Sequence, residues 1–160
     1  MLARGLAVAV IVAILDQLSK AAILAHFAGS AFAGERIAPM FNLVLTFNRG
    51  MSFGMFNTGP GGGAGLNALV FSLAAAAIVT GLIYWLSRIS SPLLAVAIGL
   101  IIGGAVGNVI DRIRLGAVVD FLDFHIGLWH WPAFNLADSA ICVGVAAMLL
   151  DGLLLHREAH

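Results

Sequence analysis

Charge is what this chain has least of. Only 10% of its 160 residues are Asp, Glu, Lys or Arg, and the acidic and basic side chains cancel at eight each. No net positive charge is left to hold a nucleic acid, so no nucleic-acid partner is expected. Lysine occurs once, at Lys20, and cysteine once, at Cys142. A lone cysteine closes no intrachain disulfide and makes a poor metal site. Set in an apolar run, Cys142 reads as a small buried hydrophobe. No HExxH or paired-cysteine motif occurs, and His125 and His130 read as interfacial residues of a polar loop. Neither a metal nor another cofactor is expected. There is no GxSxG elbow, and Ser19 points around a helix away from its neighbour Lys20, which weakens a Ser–Lys hydrolase. No internal repeat is visible.

What is present is apolar. The chain is 61% hydrophobic with mean hydropathy +1.04, against roughly 45–50% for a soluble domain. That composition predicts an integral membrane protein, and the length fits one membrane-embedded domain over residues 1–160. Four stretches can cross a bilayer, which takes about 20 helical residues: 5–25, 66–86, 92–110 and 138–155. The first has no cleavage-like small-residue site after its apolar run and continues past Lys20, so it reads as a retained span. A lone span must satisfy its own backbone in lipid, so all four are read as helices.

The link 87–91 is short, which makes spans two and three a hairpin. Segments 27–65 and 113–132 are longer and more polar. With four spans, both long segments lie on one side, and the short link lies with the termini on the other. Residues 41–47 alternate, with Phe41, Leu43, Leu45 and Phe47 on one face, as in a strand. Residues 118–124 are β-branched and aromatic enough to pair with it, giving a small sheet on the membrane surface. Residues 58–63 read as a flexible turn into the second span. Arg4, Arg88 and Arg157 fall on the terminal side; Arg36, Arg49, Arg112 and Arg114 fall on the other. If a site holds Arg49 and Arg112, the remaining bias favours cytoplasmic termini.

The scarce polar groups are gathered. Residues 103–138 hold Asn108, Asp111, Arg112, Arg114, Asp120, Asp123, Asn135 and Asp138. The span count brings these to one membrane face, with Asp16 and Lys20 from span one and Asn48 and Arg49 from the first long segment. Asp16 and Lys20, four apart, share a helix face and can pair. Asn108 and Arg112 share another, with Gly104 one turn earlier. Gly103 and Gly107 read as close-packing residues. If 118–124 is extended, Asp120 and Asp123 face opposite ways, and only one of them can meet Asp138. Asn135 and Asp138 also suit a helix cap. Two neighbouring carboxylates in a partly dry site share a proton and can act as base and acid on one water, as in aspartic proteases.

These residues, in order, resemble the motifs of the lipoprotein signal peptidase family, the type II signal peptidases of bacteria. The correspondence runs through 16–20 (Asp-Gln-Leu-Ser-Lys), 48–53 (Asn-Arg-Gly-Met-Ser-Phe), 103–112 with Gly116 and 118–121, and 131–138 (Trp-Pro-Ala-Phe-Asn-Leu-Ala-Asp). The resemblance implies a catalytic dyad of Asp120 and Asp138. It implies supporting or substrate-binding roles for Asp16, Lys20, Asn48, Gly104, Asn108, Arg112 and Asn135, and leaves Asp111 and Asp123 structural or supporting. The implied fold is all-α, with four transmembrane helices and a small extracytoplasmic β-sheet. The implied location is the bacterial cytoplasmic membrane, with cytoplasmic termini and the site at the extracytoplasmic face. The implied substrates are prolipoproteins whose lipobox cysteine carries a diacylglyceryl group, cleaved just before that cysteine. Membrane lipids would be partners, and a prolipoprotein diacylglyceryl transferase would act upstream. The rival readings are a small proton- or ion-coupled transporter and a non-catalytic lipid-binding scaffold that uses Arg49, Arg112, Trp129 and Trp131 as anchors.

Overall fold

The computed structural model of the chain describes residues 1–30, 33–50 and 64–155. The expected turn at 58–63, the end of the 48–53 motif and Arg157 lie outside them. Within the described residues run α1 (Leu2–His26), β1 (Gly34–Ala38), β2 (Phe41–Asn48), α2 (Ala64–Leu86), α3 (Pro92–Leu115), β3 (Val118–Ile126), β4 (Trp129–His130) and α4 (Leu136–Leu155). All four helices are long and apolar enough to cross a membrane. Their outward faces carry exposed Ile11, Leu18, Leu73, Val143 and Leu153, which suits a protein whose surroundings are hydrocarbon.

The central helix is α3, packed by α1, α4 and α2. Its start is fixed chemically: Ser91 is the N-cap, its Oγ accepting from the Leu94 amide at 3.2 Å, and Pro92 follows at the first turn. Its end is fixed by Gly116, a left-handed C-cap with φ 69°. The helix therefore runs to Leu115, beyond the expected boundary at 110, and carries Asp111 and Arg112 inside its last turns. The α1-facing side of α3 is Gly99, Gly103, Gly107 and Asp111, a ridge at four-residue spacing. A Cβ at Gly103 would stand 2.6 Å from the Ala9 carbonyl oxygen, so α1 lies against bare backbone.

The sheet order is β1-β2-β3-β4, every pair antiparallel. β2 and β3 are the two strands expected from the alternation; β1 and β4 were not expected. His125 and His130 stand opposite one another in β3 and β4, so they belong to a hairpin rather than a polar loop. Their segment carries enough strand-forming Val, Phe, Ile and Trp to pair. Cys142 is exposed on α4, not buried. In a chain with so much lipid-facing surface, an apolar run does not imply an inward face. The β2–β3 pairing joins the two long segments, as the span count requires, and an irregularity lies between Leu43 and Thr46. Thr46 pairs with Asp120, and Asn48 with Val118, so Asn48 lies diagonal to Asp120 on the same face.

Candidate active site

The polar residues singled out at one membrane face lie at the ends of α1, α3 and α4 nearest the sheet and on or beside β2 and β3, and most of them form one connected network. Asp16, Lys20, Asn48, Asn108, Asp111, Asp120, Asn135 and Asp138 are all buried. Buried polar groups need partners, and here they supply one another.

Lys20 is the hub. Its three ammonium donors meet three acceptors: Asp111 Oδ2 at 2.8 Å, Asp16 Oδ2 at 2.9 Å and Asn108 Oδ1 at 3.0 Å. Each carboxylate then anchors a piece of backbone. Asp16 Oδ1 accepts the Ala137 amide at 3.0 Å, an early α4 amide with no partner inside its own helix. Asp111 Oδ2 accepts the Val119 amide at 3.1 Å, near the start of β3. Ala137 precedes Asp138, and Val119 precedes Asp120. One cation thus ties together the two backbone anchors that hold those aspartates.

The aspartate side chains are joined through two amides. Asn108 donates to Asp138 Oδ1 at 2.8 Å. Asn135 donates to Asp120 Oδ1 at 2.7 Å and to Asn108 Oδ1 at 3.2 Å. Asn135 is also the expected N-cap: its Oδ1 accepts the Asp138 amide at 2.9 Å. The same side chain thus caps α4 and links Asn108 to Asp120. Asn48 donates to the second Asp120 oxygen at 3.0 Å. Burial pushes the Asp120 carboxyl up to about 7, and the neighbouring Asp138 charge pushes the same way; the Asn48 and Asn135 hydrogen bonds and the Lys20 charge oppose them.

Two glycines make room. A Cβ on Gly107 would collide with the Asp16 carboxylate, and one on Gly104 with the Ala137 carbonyl oxygen. Gly107 therefore does more than allow helix packing, because it leaves space for the buried ion pair. Gly104 enters the site only through the closeness it permits between α3 and the first turn of α4.

Arg112 donates to the carbonyls of Asn108 at 3.3 Å and Gly50 at 3.4 Å, linking the first loop to α3. Asp123 turns to the other face of β3, bonded to Asn42 at 2.7 Å and to His130 at 2.9 Å. It makes no bond to the cluster, and neither does Arg49 among the described residues. Gln17 was missed as a site residue. It donates to Asp111 Oδ1 at 2.9 Å and to the Gly107 carbonyl at 3.2 Å, while Arg114 donates to it from outside at 3.2 Å. Asp111, expected to be supporting or structural, is integral to the network. The glycine spacing was the available signal: a ridge of Gly99, Gly103 and Gly107 continues to Asp111 and places it against α1. Among the described residues, no three His, Cys, Asp or Glu side chains gather as a metal-binding group.

The network can hold two carboxylates at fixed positions, bridged by amides; Lys20 is the one cation that pairs with its carboxylates among the described residues, against the four of Asp16, Asp111, Asp120 and Asp138. A signal peptidase (SPase) II family model matches residues 8–154 of this chain. A lipoprotein signal peptidase of Paraburkholderia phymatum is 50% identical over 160 residues, covering 99% of this chain and 92% of the relative. One of Burkholderia thailandensis is 44% identical over 159 residues, again covering 99% and 92%. Two solved structures described as bacterial membrane enzymes superpose with TM-scores of 0.76 and 0.74 at 28% and 29% identity. Both cover 93% of this chain, and the chain covers 87% and 92% of theirs. This multi-pass bacterial membrane protein belongs to the signal peptidase II family.

Proposed function

We propose that residues 1–160 act as one membrane-embedded aspartic endopeptidase. It removes the signal peptide of prolipoproteins just before a cysteine that already carries a diacylglyceryl group. The observation that carries this reading is the joining of Asp120 and Asp138 by Asn108 and Asn135 in a buried site, one of them a carboxyl whose protonation is favoured near neutrality. Two such carboxylates hold one proton between them. The ionised partner takes a proton from water, and the water oxygen bonds to the scissile carbonyl carbon. The protonated partner gives its proton to the carbonyl oxygen. As the tetrahedral intermediate collapses, the carbon–nitrogen bond breaks and the amine of the lipidated cysteine leaves with a proton returned by the pair. Arg112 and Asn48 flank the substrate backbone. Asp16, Lys20, Gly104, Asn108 and Asn135 hold the pair in place.

The chain lies in the cytoplasmic membrane with its termini in the cytoplasm and the polar end of the bundle at the outer face. A lipidated substrate arrives sideways from the bilayer, after a diacylglyceryl transferase has acted on it. The arrangement favours a peptidase over an ion path: from Ala95 to Gly107, α3 carries no polar side chain that would continue a route through the membrane. Purified protein should cleave a diacylglyceryl-modified prolipoprotein before its cysteine and leave the unlipidated form uncut. Equal cleavage of both forms, or of neither, would refute the substrate assignment.

A further inference from the structure

We infer that Phe71, on α2, is a positioning residue for the Arg112 guanidinium; the inference rests on the peptidase reading above. No charged residue occurs in α2, so it offers the site no ion pair. Its Phe71 ring centroid lies 5.7 Å from Arg112 Cζ, within the range in which a ring face attracts a cation.

Asp138, Asp120 and Asp111 attract this guanidinium through space, but its direct contacts are long. Among the described residues its two hydrogen bonds go to backbone carbonyls and are long, at 3.3 and 3.4 Å. Among the described residues, no carboxylate forms an ion pair with it. A guanidinium has five N–H donors, so most of its hydrogen-bonding capacity is not taken up by these groups. An aromatic face is well suited to such a cation. A carboxylate would occupy the donor fork and neutralise the charge, whereas a ring restrains the side chain and uses none of its N–H groups.

Location gives the restraint a purpose. Phe71 and Arg112 line the same cavity of about 270 Å³ between α2, α3 and α4, together with Ala74, Ala75, Asn108 and Ile141. Asn108, which holds Asp138, and Arg112 are its polar members. Phe71 therefore keeps the Arg112 donors at the polar end of an apolar groove, turned toward the carbonyl oxygens of a substrate entering from lipid.

Binding measured in an Asp120→Asn background separates this role from turnover. The probe is a diacylglyceryl-modified prolipoprotein peptide in detergent or nanodiscs. Phe71→Leu, which keeps apolar bulk without a ring, should weaken binding about 3- to 10-fold. Phe71→Tyr should bind like the parent. With Arg112→Gln also present, Phe71→Leu should add less than about twofold, because the interaction it removes is already gone. Parent-like binding by Phe71→Leu would overturn the inference. So would equal weakening by Tyr and Leu, or an undiminished Leu effect without the arginine. Failure of the parent to bind the lipidated peptide would count against the peptidase reading itself.

Discussion

Asp120 and Asp123 stand three residues apart in one strand, and the two faces of β3 give the same side chain opposite chemistry. Asp120 faces the helix ends, with a second carboxylate nearby, and its carboxyl is pushed up to about 7 by burial and by Asp138. Asp123 faces the β4 side. Burial pushes its carboxyl up as well, but hydrogen bonds from Asn42 and His130 outweigh that and hold it below the usual range. Both residues have little exposed surface, but Asp120 lies far deeper and beside Asp138, so depth and partners together separate them. A carboxylate supplied with donors and no like-charged neighbour stays ionised. A carboxylate beside another keeps a proton available for chemistry.

The largest expected effect comes from neutralising one aspartate and then the other. Asp120→Asn should lower cleavage of lipidated prolipoprotein by at least about a thousandfold, while Asp123→Asn stays within about threefold of wild type. Comparable losses in both variants would erase the functional distinction between the faces. A smaller but broader effect is expected at Lys20. Lys20→Met leaves Asp16 and Asp111 buried without their cation, a change that costs about 3–5 kcal/mol and lowers the thermal unfolding midpoint in detergent. An unchanged midpoint would show that the two backbone anchors do not need the lysine.

The next effect is on pH dependence. In the proposed mechanism the pair must hold a shared proton, and the Asp120 carboxyl is raised to about 7, so kcat/KM should fall as pH rises through and above that value. Asn48 donates to the ionised form, so Asn48→Ala should move that decline upward by roughly one pH unit. A downward shift would contradict the assigned hydrogen bond. The smallest effect is expected on the far face. Asn42→Ala should cost about 1 kcal/mol of stability and leave the pH profile in place.

Much of this arrangement can be read from the residues, for a physical reason. In a chain with so few charges, each polar group inside a span has to find another, and the span count alone brings Asp16, Lys20, Asn108, Asp111 and Asn135 to one end. The alternation of 41–47 exposes β2, and strand parity puts Asp120 and Asp123 on opposite faces. Parity cannot say which of them meets Asp138, because that depends on how β2, β3 and α4 are set against one another. Cys142 was misread because apolar sequence does not distinguish a core from a lipid-facing surface. Gln17 was missed because its role depends on α1 lying against the bare backbone of Gly107, a contact between residues ninety positions apart. Strands β1 and β4 are short, and tertiary pairing rather than local pattern makes them strands.

In the proposed mechanism Asp120 and Asp138 hold one proton between them near neutral pH. Infrared difference spectra of the purified protein across a pH titration test it directly. A protonated carboxyl band should disappear as pH rises above about 7, be missing in Asp120→Asn and in Asp138→Asn, and persist in Asp123→Asn. A band unaffected by Asp120→Asn, or one lost only in Asp123→Asn, would contradict it.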